Sequence, residues 1–253
     1  MRFAVYAAFV PMILGAAGCA VSQGAKPAPA SNDKGIAVVE LFTSEGCSSC
    51  PPADAVLRKL AAEATKSGRP IYALSFHVDY WDRLGWADPF GKAEFTTRQQ
   101  NYARGQKRDG TYTPQMIVNG TDEFVGSDAK EADRAIEAAL SRPVVAAVEL
   151  TAVAEGKAVT VEYAVADAPV GAVLCVAWVD AEAESRPNRG ENGGAKLLHV
   201  NVVRDFRSIP LKDAAKRKLT LNRPDVKAGS IIAYVQEADR GRIVGAAATD
   251  VGR

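Results

Sequence analysis

The sequence predicts a mixed α/β domain followed by a β-rich C-terminal region of antiparallel sheet or sandwich. Residues 36–43 form a nearly continuous apolar run, typical of a buried strand in a parallel sheet. A helical apolar stripe follows over 53–64, and a second apolar run over 71–78 completes a strand–helix–strand unit. Further along, the chain changes to short alternating runs separated by turn residues. These patterns predict domains at 35–142 and 143–253.

The remaining elements of the chain follow from its aromatic, turn and helical signals. The segment HVDYWDRLGWADPFGK (77–92) is predicted to be an aromatic insertion over the sheet edge, with a helix after it at 92–108. The pair Asn119–Gly120 predicts a hairpin turn, and 128–140 a last helix. The C-terminal strands are predicted at 144–153, 158–165, 172–179, 197–203, 218–221, 231–235 and 243–247.

The N-terminus has the pattern of an export signal. Residues 1–19 combine a basic start with an apolar run that is short and contains a proline. The run ends in L-G-A-A-G-C, which resembles the lipobox at which bacterial lipoproteins are lipidated on cysteine, here Cys19. Ordinary secretion, with cleavage near Ala20 or after 28–30, is the alternative. Residues 20–34 are predicted to be a flexible linker, and the protein is expected in the periplasm, anchored to the outer membrane if lipidated.

The charge balance excludes one class of partner. The 253 residues include 31 Lys and Arg against 30 Asp and Glu, so the chain has no excess basic charge for nucleic acid. Membrane contact is expected only through the lipid anchor.

The motif C-S-S-C-P-P places Cys47 and Cys50 at the start of a helix. Proline is tolerated only in the first turn of a helix, so Pro51 and Pro52 predict that the helix begins at 48–50. An exposed cysteine at that end is stabilised as thiolate by the unpaired N–H groups and the helix dipole. We therefore predict that Cys47 attacks and that the more shielded Cys50 resolves.

The order strand, C-x-x-C, helix, strand resembles the thioredoxin-like family over residues 36–140. The resemblance implies a cis peptide bond before Pro114, next to the disulfide, where extended substrate is received. The stretches VELFTSEGCSSCPPAD, FHVDYWDRLGWADPF, YTPQMIVNG and YVQEADRGRIVGAA resemble a family of secreted bacterial proteins, domain-of-unknown-function family 1223. That resemblance implies a thioredoxin-like fold with a β-rich extension, and no known reaction.

Two positions depart from ordinary thioredoxins. Leu41 stands where many have a buried acid, Glu40 is expected to point to the opposite sheet face, and Gly46 replaces a tryptophan. A substitute for the acid is expected at the end of the next strand, where His77 could lower the thiol pKa, carry protons or bind a metal. A histidine hydrogen-bonded within the sheet is the alternative. Asp79 is a weaker candidate, because loop acids are usually solvated or capping.

Several other residues receive structural interpretations. Cys175 lies in an apolar strand and is predicted to be an inert buried thiol. His199 is expected to face solvent or the other side of its strand, and we assign it no role. The glycine-rich run 189–196 lacks a phosphate-binding pattern and is expected to be a mobile loop. Three aromatic residues could wall the disulfide, but packing is favoured for at least two of them. These three are Tyr80, Trp81 and Trp86.

Three functions remain open at this point. The first is a periplasmic thiol–disulfide oxidoreductase acting on protein or small-molecule substrates with an external redox partner, in either direction. The second is copper binding or metal delivery through Cys47, Cys50 and His77. The third is a non-catalytic binding module whose disulfide is structural. No cofactor is predicted apart from the copper of the second function.

Overall fold

The computed structural model describes residues 35–212, 216–222, 228–238 and 241–251. The predicted signal and linker, with Cys19, lie outside these residues. The described helices are α1 (Cys50–Ser67), α2 (Ala93–Gly105) and α3 (Ala129–Leu140), with a short 3₁₀ turn at Asp82–Leu84. The described strands are β1 (Ala37–Thr43), β2 (Ile71–His77), β3 (Gln115–Val118), β4 (Asp122–Val125), β5 (Ala147–Glu155), β6 (Ala158–Ala166), β7 (Val173–Ser185), β8 (Leu197–Pro210), β9 (Arg217–Asn222), β10 (Gly229–Gln236) and β11 (Ile243–Val251).

These elements confirm the predicted mixed α/β fold. The α/β part comes first, the hairpin between β3 and β4 turns at Asn119–Gly120, and each predicted C-terminal strand is present. Within the described residues, no helix combines the length and apolar character needed to cross a bilayer.

One large sheet joins the two parts of the chain. Its order is β11-β10-β7-β8-β2-β1-β3-β4, so the C-terminal strands extend the sheet of the first part. Strands β1 and β2 are parallel, and β8 joins β2 in parallel at one residue pair, Ser75 with Val202. The tip of the long hairpin β7–β8 lies beyond the carboxyl end of β1, where Asn192 hydrogen-bonds to the carbonyl oxygens of Glu45 and Cys47. A second sheet, β5-β6-β9, packs against β7, β10 and β11.

Helix α1 begins at Cys50, within the predicted range. Pro51 and Pro52 occupy its first turn, where a missing N–H costs no hydrogen bond, and Gly68 ends the helix in the left-handed conformation with φ 65°. The buried stripe of α1, which includes Leu57, packs with α3 on one face of the sheet, while α2 covers the other face. The helix thus starts directly beyond the end of β1, which positions both cysteines.

A buried ionic network lies on the α2 side of the sheet. Arg98 Nε donates to Glu40 Oε1 at 2.8 Å and its Nη2 donates to Glu40 Oε2 at 3.0 Å. The hydroxyl of Tyr234, from β10, donates to Glu40 Oε1 at 2.7 Å, and that of Tyr102 also donates to Glu40. Burial works against the charged guanidinium, but the Glu40 carboxylate holds the pKa of Arg98 well above its ordinary value. Glu40 therefore faces away from α1, as predicted, and ties β1 to the C-terminal part.

Gly245 marks a close approach of two backbones. A Cβ at this position would lie 2.0 Å from the carbonyl oxygen of Ala146, where the chain enters the second sheet. We expect Gly245→Ala to lower the free energy of unfolding by about 1–3 kcal/mol, because the backbone must shift to relieve the overlap. Urea unfolding measures this loss. The control is Gly193→Ala, whose Cβ would have its nearest neighbour at 3.4 Å; equal stability of the two variants would contradict the prediction.

Candidate functional site: a disulfide beside a buried acid and histidine cluster

Cys47 lies in the loop between β1 and α1, here called the disulfide loop (44–49), and Cys50 is the first residue of α1. The sulfur atoms of Cys47 and Cys50 are joined in a disulfide, with their Cα atoms 5.4 Å apart. The expectation of an exposed Cys47 is wrong, because Cys47 is 1% exposed and Cys50 0%. The covering residues include parts of the chain far away in sequence, which the local helix-start pattern does not indicate.

The peptide bond between Thr113 and Pro114 is cis, as predicted. The carbonyl oxygen of Thr113 lies 3.9 Å from the Cys47 sulfur, and Ser49 Oγ lies 3.3 Å from the same sulfur. Trp81 Nε1 donates to Thr113 Oγ1 at 2.8 Å, which fixes the loop before the proline. The backbone before Pro114 therefore lies directly beside Cys47.

His77 and Asp79 lie close together in sequence but have different surroundings. His77 is the last residue of β2, and Asp79 lies two residues beyond it. His77 is fully buried, and its Nδ1 lies 2.8 Å from Asp88 Oδ2 in the aromatic insertion. Asp79 instead accepts a hydrogen bond from the hydroxyl of Thr96 at 2.6 Å, which anchors the start of the insertion to α2. Of the two candidates, only His77 joins the cluster of buried charged groups described below.

His199 was assigned no role from the sequence, and it does not face solvent. It is 3% exposed and its ring centroid lies 4.7 Å from that of His77, with the rings nearly perpendicular. Its Nε2 lies 3.4 Å from Glu45 Oε1 and its Nδ1 lies 3.6 Å from Asp54 Oδ2, which are ion-pair distances. His199 comes from the start of β8, the strand next to β2 in the sheet, and its contacts with His77, Glu45 and Asp54 place it in this cluster.

The two acids and His199 have strong electrostatic coupling. Burial alone lowers the pKa of an imidazole, but the carboxylates of Asp54 and Glu45 outweigh this and raise the pKa of His199 to about 9. His199 is therefore an imidazolium at neutral pH. For Asp88, an acid, burial has the opposite effect and raises the pKa. The contacts with His77 and with two backbone N–H groups outweigh burial, so the pKa of Asp88 is lowered overall.

Several buried polar atoms of this cluster have no hydrogen-bond partner among the described residues. They are Glu45 Oε1, His77 Nε2 and both ring nitrogens of His199. Buried polar groups are normally hydrogen-bonded, so such a concentration is typical of functional sites. The one sequence signal for it was Asp54, an acid on the buried stripe of α1 four residues after Cys50, hence on the same helix face.

The loop between β7 and β8, here called the hairpin tip (186–196), contacts the disulfide loop. Asn192 Nδ2 donates to the carbonyl oxygens of Glu45 and Cys47, both at 2.9 Å. Glu191 Oε2 accepts from the backbone N–H of Ser48 at 2.8 Å and from its hydroxyl at 2.7 Å. The glycine-rich run that was expected to be a mobile loop without a role is thus docked at the site.

The aromatic residues of the insertion mainly pack, as favoured from the sequence. Tyr80 and Trp81 lie against the core on the α2 side, and Trp86 Nε1 donates to Glu45 Oε2 at 2.7 Å. Cys175 is fully buried, as predicted, with its sulfur 4.0 Å from Arg98 Nη1.

The alternative metal site requires both sulfurs as thiolates, and here they are joined to each other. Among the described residues, no group of three or more His, Cys, Asp or Glu side chains is arranged to hold a metal ion.

The fold and the site define a mixed α/β protein with a C-x-x-C disulfide at the start of a helix and a buried acid and histidine cluster beside it. The chain belongs to the family described as "Protein of unknown function (DUF1223)", whose sequence profile matches residues 38–236. This confirms the resemblance to that family.

Two solved structures are similar to this chain. A protein of Agrobacterium tumefaciens, known from its X-ray crystal structure, is 30% identical with a TM-score of 0.63, over 87% of this chain and 96% of that one. HBP35 of Porphyromonas gingivalis is 16% identical with a TM-score of 0.63, over 86% of this chain and 76% of that one, a likeness of fold alone. A comparison with curated proteins finds no match.

Proposed function

We propose that the protein is an exported thiol–disulfide oxidoreductase whose residues 35–142 form a thioredoxin-like domain. The observation that carries the proposal is the disulfide at the start of α1, with the Cys47 sulfur 3.9 Å from the carbonyl oxygen before cis Pro114. An extended substrate pairing with the backbone at Thr113 would bring its own disulfide to Cys47. Lipidation of Cys19 would keep the protein at the outer membrane.

The exchange conserves atoms and electrons in two steps. The Cys47 thiolate attacks a substrate disulfide, a mixed disulfide forms, and one substrate sulfur leaves as thiolate and takes a proton. The Cys50 thiol then loses its proton, attacks the Cys47 sulfur, and releases the second substrate sulfur, so that the Cys47–Cys50 disulfide forms again. An external dithiol returns two electrons and two protons; the reverse sequence oxidises substrates.

In this proposal the buried cluster supplies the acid that is missing at Leu41, the position where many thioredoxins have a buried carboxyl group. Asp54 is one helical turn after Cys50 on the same face of α1, and His199 links it electrostatically to Glu45. In this proposal the carboxylate of Asp54 accepts the proton of Cys50 as Cys50 attacks. The ring of His199 lies at ion-pair distance from the carboxylates of both Asp54 and Glu45, so one buried cation faces the two buried acids.

A specific observation also favours the third function, a module with a structural disulfide, since both sulfurs are buried. Equilibration in glutathione buffers separates the two. A reduction potential above about −300 mV supports exchange, and one below about −300 mV is that of a structural disulfide.

The order of attack is tested with glutathione disulfide and cysteine variants. We expect Cys50→Ser to accumulate a mixed disulfide on Cys47, because the resolving thiol is missing. The matched variant Cys47→Ser is expected to form none, because Cys47 is the sulfur that lies beside the Thr113 carbonyl oxygen, where substrate is proposed to pair. Intact-mass spectrometry measures both; glutathione bound preferentially to Cys50 would reverse the assigned roles.

A further inference from the structure

The hairpin tip covers the reactive end of the disulfide loop. Gly190 packs at van der Waals distance: a Cβ there would lie 3.7 Å from the Cα of Gly46 and 3.4 Å from the Cβ of Trp86, and its φ is +76°. The tip has its own internal hydrogen bonds, such as Gly194 N–H to Pro187 O at 2.7 Å. It is therefore an organised turn that sits on the disulfide loop, although it comes from the opposite part of the chain.

Asn192 is the uncharged part of this contact. Its side-chain amide donates to the carbonyl oxygens of Glu45 and Cys47, which lie on both sides of Gly46. These two hydrogen bonds connect the tip to the residue whose sulfur is proposed to react. With Cys47 only 1% exposed, a reagent reaches that sulfur only when part of the cover moves away.

Glu191 is the charged part of this contact. Its carboxylate accepts two hydrogen bonds from Ser48, the residue directly after Cys47. The bond from the backbone N–H, and to a lesser degree the bond from the hydroxyl, lower the pKa of Glu191. Glu191 is therefore ionised at neutral pH. Its negative charge opposes the positive end of the α1 dipole, which would otherwise stabilise a thiolate at Cys47.

We propose that the hairpin tip is a closing cover for Cys47, in which Asn192 limits access to the sulfur and Glu191 disfavours its thiolate form. Both are positioning residues, since they act through the disulfide loop. The inference deepens the proposed function and rests on it for its biological role. The charge-assisted bonds from Ser48 to Glu191 are strongest while Glu191 is ionised, so they are complete at neutral pH and weaken as the pH falls through the lowered pKa of Glu191. The two bonds donated by Asn192 carry no titrating charge.

The experiment measures alkylation of Cys47 by iodoacetamide in the reduced full-length protein, as a function of pH, with peptide mapping. Iodoacetamide is neutral, so its own charge does not affect the rate. Glu191→Gln keeps an oxygen acceptor for Ser48 but removes the charge. We expect the midpoint of its rate profile to move to lower pH, with alkylation about two- to fivefold faster below the wild-type midpoint.

Asn192→Ala removes two hydrogen bonds without changing a charge. We expect faster alkylation across the whole pH range with an unchanged midpoint, which separates access from electrostatics. The control Glu182→Gln removes an exposed acid of β7 and is expected to match wild type. Other titratable groups around the cysteine pair are the same in every variant. They are Glu45, Asp54, His77, Asp88 and His199.

The outcomes separate this inference from the proposed function. Wild-type profiles in both Glu191→Gln and Asn192→Ala, with circular dichroism showing that they fold, would overturn the cover. A reduction potential in the range of structural disulfides, together with a shifted Glu191→Gln profile, would overturn the oxidoreductase and support the cover. Normal exchange with glutathione, together with unchanged alkylation profiles in both variants, would support the oxidoreductase and overturn the cover.

Discussion

Arg98→Met is expected to lower the free energy of unfolding by about 3–5 kcal/mol. Arg98 is 2% exposed and makes two hydrogen bonds to the fully buried carboxylate of Glu40. Methionine keeps much of the side-chain volume, so the loss comes mainly from a buried carboxylate without its cation. Urea unfolding at pH 7 measures the difference.

Two further variants test this explanation. Arg134→Met removes an exposed arginine that pairs with Glu131 on the surface of α3, and we expect little or no loss of stability because solvent screens this pair. The double variant Glu40→Gln with Arg98→Met removes both buried charges, and we expect it to be more stable than Arg98→Met alone. If the double variant were less stable than Arg98→Met, the unpaired carboxylate of Glu40 would not be the cause of the stability loss in Arg98→Met.

The stability of the protein is expected to depend on pH through His199. Its pKa is raised to about 9 in the folded state, and it is near 6.5 in an unfolded chain. A raised pKa contributes stability that is complete below pH 6.5 and is lost as the pH rises through 9. The shift corresponds to about 3 kcal/mol. We expect the stability difference between wild type and His199→Gln to fall by that amount between pH 6 and pH 10.

Taking the difference between the two proteins removes the contribution of groups that titrate equally in both. Urea is suitable because it is uncharged and permits unfolding at each pH. Asp88 has a lowered pKa, so its contribution is lost only as the solution becomes acidic, outside this window. A difference that stays constant from pH 6 to pH 10 would show that His199 is not held as an imidazolium.

The sequence predicted the features that depend on local chemistry. Proline restrictions predicted that α1 starts within 48–50, and it starts at Cys50. The turn pair Asn119–Gly120 located the hairpin. The cis bond before Pro114 came from the thioredoxin-like resemblance and is present. The alternation of side chains along a strand correctly separated Glu40 from Leu41.

The missed features depend on contacts between distant segments. His199 meets Glu45 and Asp54 only because β8 joins β2, and the alternating pattern around His199 fits many sheet positions equally well. The hairpin tip has the composition of an ordinary solvent-exposed loop, and its docking depends on where a long hairpin ends. Neither periodicity nor spacing contains that information.

Because the two parts of the chain share one sheet, we expect that the cysteine-bearing part does not fold independently of the C-terminal strands. A fragment ending at residue 142 would turn β2 into an open edge, and unpaired strand edges promote aggregation. It would also lack the imidazolium of His199, so Asp54 and Glu45 would repel each other, and it would lose the cover over Cys47. What the C-terminal strands contribute is thus part of the cysteine site itself, and redox chemistry has to be assayed on the intact chain.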